Sequence, residues 1–117
     1  MSGCVLRARS NGISSKELLS SGAFSGAVAF EDGFNLTITE SEEFLAQIRD
    51  AEAYLTDHAE QCVSLSKRLS PYAPILDFGV WRKDAPTQSV VFPSSLVQQA
   101  GKLGFELGLS IYEASDL

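Results

Sequence analysis

Few residues of this chain could do chemistry, and most of them gather around one segment, Ile75–Lys83. In an extended strand successive side chains alternate between faces. Leu76, Phe78 and Val80 therefore form one apolar face, and Asp77, Gly79 and Trp81 point the other way. Aspartate is disfavoured within a strand, so Asp77 calls for an explanation. It can pair across strands with Arg7 or Arg9, whose alternation puts them on the same side of an earlier strand, or it can anchor a ligand. Trp81, and Tyr112 near the end of the chain, share that outward face, and both are residue types over-represented in binding hot spots.

Other chemistry is sparse. His58 is the one histidine, so any Ser-His or Cys-His mechanism would have to use it. His58 and Cys62 stand four apart, half of a metal site. Structural zinc wants four nitrogen or sulfur ligands, and only Cys4 remains to join them. The chain is expected to hold no metal and no cofactor. Glu40, Glu42 and Glu43 are explained by the positive end of a helix dipole. GxSxG, P-loop and strand-borne GxGxxG motifs are all missing, which points away from the common enzyme classes.

The elements that must position these residues are legible in order. Cys4–Arg9 alternates as a first strand. Ser14 and Glu17 have capping-box spacing, with Ile13 and Leu18 as a staple, so a short helix is expected over Ser15–Ser20. Ala27–Phe30 and Phe34–Thr39 read as a hairpin across Glu31-Asp32-Gly33. A three-residue loop with Gly33 left-handed would put Val28 and Phe30 on the apolar face with Phe34, Leu36 and Ile38. Thr39 and Glu42 mark another capping box. The apolar period from Phe44 to Leu69 would make one helix on the order of 45 Å long, too long for so small a fold. Asp57 and Glu60 supply a further capping spacing, so a break is expected near Thr56–His58. Ser70-Pro71 closes the second helix. After Lys83–Phe92, a loop able to fold over Trp81, Ser94 or Ser95 is expected to cap a helix ended by Gly104. Phe105–Tyr112 is the last strand, apolar at Phe105, Leu107, Leu109 and Ile111.

This order, β-α-β-β-α(α)-β-α-β, with one apolar face per strand, predicts an α+β two-layer sandwich. Its sheet would be about five-stranded and mainly antiparallel, with helices on one face, loosely ferredoxin-like with an added αβ unit. The polar faces would form one open surface, where Gly79 and Gly108 leave room for a close approach. The 117 residues, 44% of them hydrophobic, suit a single domain, 1–117, able to bury roughly two-thirds of its unfolded surface.

A net charge of −6 with nine scattered basic residues argues against nucleic acid, whose phosphates need clustered Lys and Arg. No stretch reads as a membrane span or a secretory leader, and two lone cysteines suggest a reducing, cytoplasmic setting. An acidic balance suits a more basic protein partner. Asp50, Asp57 and Glu60 on the long helical segment are candidate contributors, beside Trp81, Tyr112, Asp77 and Arg7. A homodimer packing sheet to sheet, or a small enzyme or ligand pocket around Asp77, are the alternatives.

Three short pieces carry a resemblance: Cys4-Val5-Leu6-Arg7-Ala8, Leu76-Asp77-Phe78-Gly79, and Phe92-Pro93 leading to Leu109-Ser110-Ile111-Tyr112. They resemble a loose group of short bacterial α+β proteins of unassigned function. Small acidic proteins of this type are similar to toxin-neutralising immunity proteins, which implies action by binding. No active-site residues come with that likeness.

Overall fold

The computed structural model describes residues 3–113. Five strands, β1 (Gly3–Arg9), β2 (Val28–Phe30), β3 (Gly33–Thr39), β4 (Ile75–Trp81) and β5 (Glu106–Tyr112), form one sheet in the order β2-β3-β1-β4-β5. All neighbours are antiparallel except β4 and β5. The first four strands follow ferredoxin-like order, and the α4–β5 unit extends the sheet beyond β4. Helices α1 (Ser15–Leu18), α2 (Phe44–Asp57), α3 (Ala59–Leu69) and α4 (Ser94–Leu103) cover one face. The expected α+β sandwich is what forms.

Alternation explains the layering. Cys4, Leu6, Ala8, Phe34, Leu36, Leu76 and Phe78 are buried under Ile48, Ala51, Leu55, Leu65 and Leu96 from the helices. Phe78 is fully buried and meets Phe44 and Phe92 at ring separations of 6.1 and 5.2 Å. Burial of each such side chain stabilises by roughly 1.5–3 kcal/mol. Coverage thins at the end of β5. Phe105 is buried, but Leu109 and Ile111 are 37% and 53% exposed, so the inward apolar set predicted there is only half roofed.

The break in the long helical run falls at His58, whose backbone (φ −124°, ψ 31°) leaves the helix between α2 and α3. No side chain caps α3, so Asp57 marks the break without capping it. Ser14 does cap α1, its hydroxyl accepting the Glu17 N–H, though α1 is shorter than expected.

Two other capping assignments are corrected. The N-terminal cap of α4 is Pro93, with Ser94 already inside the helix, and that of α2 is Glu43 without a side-chain bond. Thr39 instead accepts the Ser41 N–H and Ser41 accepts the Glu43 N–H, in successive turns. Those local bonds satisfy donors that a capping box would have used, and they delay the helix to Phe44.

The main correction is the hairpin register. Phe30 pairs with Gly33, Ala29 with Phe34 and Val28 with Asn35, so the loop is the two residues Glu31-Asp32. Gly33 is not left-handed. Val28 and Phe30 therefore join Asn35 on the uncovered face instead of the core, and Val28 is 71% exposed. The physical reason sits at Gly33. A Cβ there would collide with the Ala8 carbonyl oxygen and lie 2.9 Å from the Phe30 ring, so only glycine lets the ring lie across that strand. Ser10, buried beside it, donates its hydroxyl to Asp32 O and receives the Ile13 N–H. That clamp holds the turn against the end of β1.

Candidate functional site

The uncovered face is built row by row from strand pairing. Arg9, Gly33 and Phe30 form the first row, and Val28, Asn35, Arg7, Ile75 and Glu106 the second. Thr37, Val5, Asp77 and Gly108 form the third. Gly79 pairs with Ser110 in the next, and Trp81 with Tyr112 in the last. Every outward assignment made on β1, β4 and β5 holds.

Asp77 lies at the centre and is satisfied internally. Arg7 Nε donates to its Oδ2 at 2.9 Å, and the Ser110 hydroxyl reaches both carboxylate oxygens at 2.8 and 2.9 Å. Its side chain is 12% exposed. The pair is diagonal, because Arg7 stands opposite Ile75 and Asp77 opposite Val5. Of the two sequence readings of Asp77, the cross-strand pair is the one present. Ser110, which the sequence reading had not singled out, completes it. The gap expected at Gly108 is filled from β4: a Cβ there would come within 3.2 Å of an Ile75 methyl. Gly79 is buried, and its carbonyl accepts the Gln47 side chain of α2 at 2.9 Å.

The two ends of the face differ. At the Trp81 end, the Trp81 and Tyr112 rings tilt against each other at 5.7 Å, and both residues are half-buried. Beside them Arg82 binds Glu113 at 2.7 Å. The 83–92 loop is tied to this end through Gln88, which donates to the Trp81 carbonyl and accepts the Lys83 N–H. At the Phe30 end there is a cavity of about 700 Å³. Arg7, Arg9, Asn35 and Ile75 line it from the sheet, together with Phe30, Pro71–Ala73 and Glu106. The Arg9 guanidinium lies 5.9 Å from the Phe30 ring centroid. Neither Asp77 nor any residue of the 83–92 loop lines this cavity.

The acidic candidates are not brought to this surface. Asp57 and Glu60 flank the α2–α3 break and are exposed on the helical layer, and Asp50 lies on α2 beside Arg49 at 3.8 Å. His58 packs against Tyr54 at 4.5 Å. Both cysteines are fully buried. Burial pushes the Cys4 thiol up to about 12, with the Asp77 and Asp50 charges adding to the shift, and pushes Cys62 up to about 11. At neutral pH both are protonated and unreactive. Among the described residues no three His, Cys, Asp or Glu side chains are grouped to hold a metal ion, and no helix is long and apolar enough to cross a membrane.

Comparison with known proteins adds no relative. No family model, curated protein or solved structure matches this chain.

Phe30, Asn35 and Tyr72 were missed as site residues. For Phe30 a signal existed in Gly33, the one residue in β3 that could sit under a ring. Tyr72 had none, since its position depends on how the α3–β4 loop passes the sheet.

Proposed function

We propose that this protein is a non-enzymatic binding module that engages a protein partner through its uncovered sheet face. The observation that supports this best is the Trp81–Tyr112 pair, two half-buried aromatic rings on a sheet face that carries no helix. Aromatic side chains already held by each other lose little freedom on binding and expose area suited to a hot spot. The protonated thiols and the internally paired Asp77 fit a surface that binds without reacting. The net charge of −6 favours a more basic partner, and an immunity-type inhibitor of a bacterial toxin, working in the cytoplasm, is the specific form of this reading. Asp57 and Glu60, being on the other layer, would steer such a partner at long range without touching it.

The test is cross-linking mass spectrometry on the complex captured from the native host. Cross-links should map to β4 and β5 near Trp81, and Trp81→Ala should abolish capture while Asp57→Lys with Glu60→Lys only slows association. Capture that survives Trp81→Ala, with cross-links on α2 and α3, would sink the proposal. Self-capture with the same map would point to a homodimer through the sheet.

A further inference from the structure

The Phe30 end of the face poses a question that protein docking at Trp81 does not answer. The chain has 15 acidic against nine basic residues, yet two arginines stand side by side in the cavity at this end. Arg7, Arg49, Arg68 and Arg82 each lie within 4 Å of a carboxylate. Arg9 is the one arginine that does not, among the described residues. Arg7 uses only Nε on Asp77, so its two Nη nitrogens, carrying four of the five guanidinium N–H donors, stay available to the cavity. The Asn35 side chain stands between the arginine row and Phe30.

The walls add a second requirement. Phe30 presents a ring already under a guanidinium, and Tyr72, 51% exposed, faces the same space from the α3–β4 loop. The Tyr72 ring and the Ile75 side chain offer apolar surface to a planar ring. A volume of about 700 Å³ is that of an ordinary small-molecule site. Glu106 closes the far edge, two strands from Arg7 in the same row, or about 9–10 Å at the backbone. It repels additional negative charge there and would accept a hydrogen bond.

We propose that this cavity binds a small aromatic monocarboxylate carrying a hydroxyl or amino donor at the end away from its carboxylate. The carboxylate bridges Arg9 and the Nη nitrogens of Arg7. The ring lies over Ile75 beside Tyr72, and the donor reaches Glu106. Polyphosphates are disfavoured by Glu106 and by the chain's overall charge. This goes beyond the protein-binding reading and stands or falls separately from it.

The probe is 4-hydroxybenzoate, titrated by calorimetry and by amide chemical shifts, with 4-hydroxybenzyl alcohol and inorganic phosphate as comparators. Saturable binding is expected, with shifts at Arg7, Arg9 and Asn35, and at least tenfold weaker binding of both comparators. Arg9→Ala and Tyr72→Ala, both at exposed positions, should each weaken it tenfold or more, and Trp81→Ala should leave it unchanged. Failure of 4-hydroxybenzoate to saturate the protein, indifference to Arg9→Ala, or phosphate binding as tightly would overturn the proposal.

Discussion

The two ends of the uncovered sheet face contain similar residue types and put them to different use. At the Trp81 end the prominent groups pair locally: indole against phenol, Arg82 against Glu113. The result is a patch suited to another protein's surface. At the Phe30 end the Pro71–Ala73 segment lines a cavity with the sheet, and among the described residues Arg9 has no carboxylate within 4 Å. Unspent hydrogen-bonding capacity inside a concavity is what a small ligand requires. Asp77 separates the two regions and belongs to neither, because Arg7 and Ser110 already occupy its oxygens. Aromatic and charged residues on a sheet therefore do not by themselves tell a docking patch from a pocket. Their mutual pairing and the neighbouring loop decide.

The largest expected perturbation strikes both ends together. The folded pKa of Cys4 is raised to about 12 and that of Cys62 to about 11, from an ordinary value of 9.0. Between those limits the unfolded chain loses these protons while the folded one keeps them. Stability is thus retained below pH 9 and falls as pH rises toward 11–12, by on the order of 1 kcal/mol per pH unit for each such thiol. Denaturant melts from pH 8 to 11 check this, and Cys62→Ala should flatten the slope. A pH-independent midpoint would show that the thiols are not enclosed beneath the sheet.

Gly33→Ala should act on the Phe30 end alone. Its added methyl would press on the Ala8 carbonyl and the Phe30 ring, with an overpacking cost of about 1–3 kcal/mol and disturbed cavity amides. The Trp81–Tyr112 signals should stay in place. Coincident loss of the indole environment would show the ends to be coupled.

Arg7→Ala tests the divide between them. Leaving Asp77 with Ser110 as its remaining partner should lower stability by about 1–2 kcal/mol, in the range of a charge-assisted hydrogen bond on a partly exposed group. Adding Asp77→Ala should recover part of that loss, and strictly additive effects in the double-mutant cycle would mean the pair contributes nothing. The smallest change is Arg82→Ala at the other end. Its ion pair is more than half exposed on both sides, so the measured effect should stay below about 1 kcal/mol.

Much of the architecture was readable from local chemistry. Alternation on β1, β4 and β5 assigned their faces correctly, because one buried side forces a register that a single-residue slip would invert. That same alternation put Arg7 and Asp77 together, and excess helix length located the break at His58. Short-range signals misled where several satisfied the same donors, as at Thr39 and Ser41, or where a turn admitted two loop lengths, as at Asp32-Gly33. Loop length turned on a contact between Gly33 and Ala8, residues far apart in the chain.

By itself, then, the order of residues determined which side chains are greasy, which strands have two unlike faces, and that Asp77 needed a partner. Only the folded chain decided that Phe30 leaves the core, that Tyr72 lines the same cavity, and that Arg9, among the described residues, is left without a carboxylate. Those outcomes depend on distances between segments that no local period encodes, since they arise when separate strands and a loop are packed around one core.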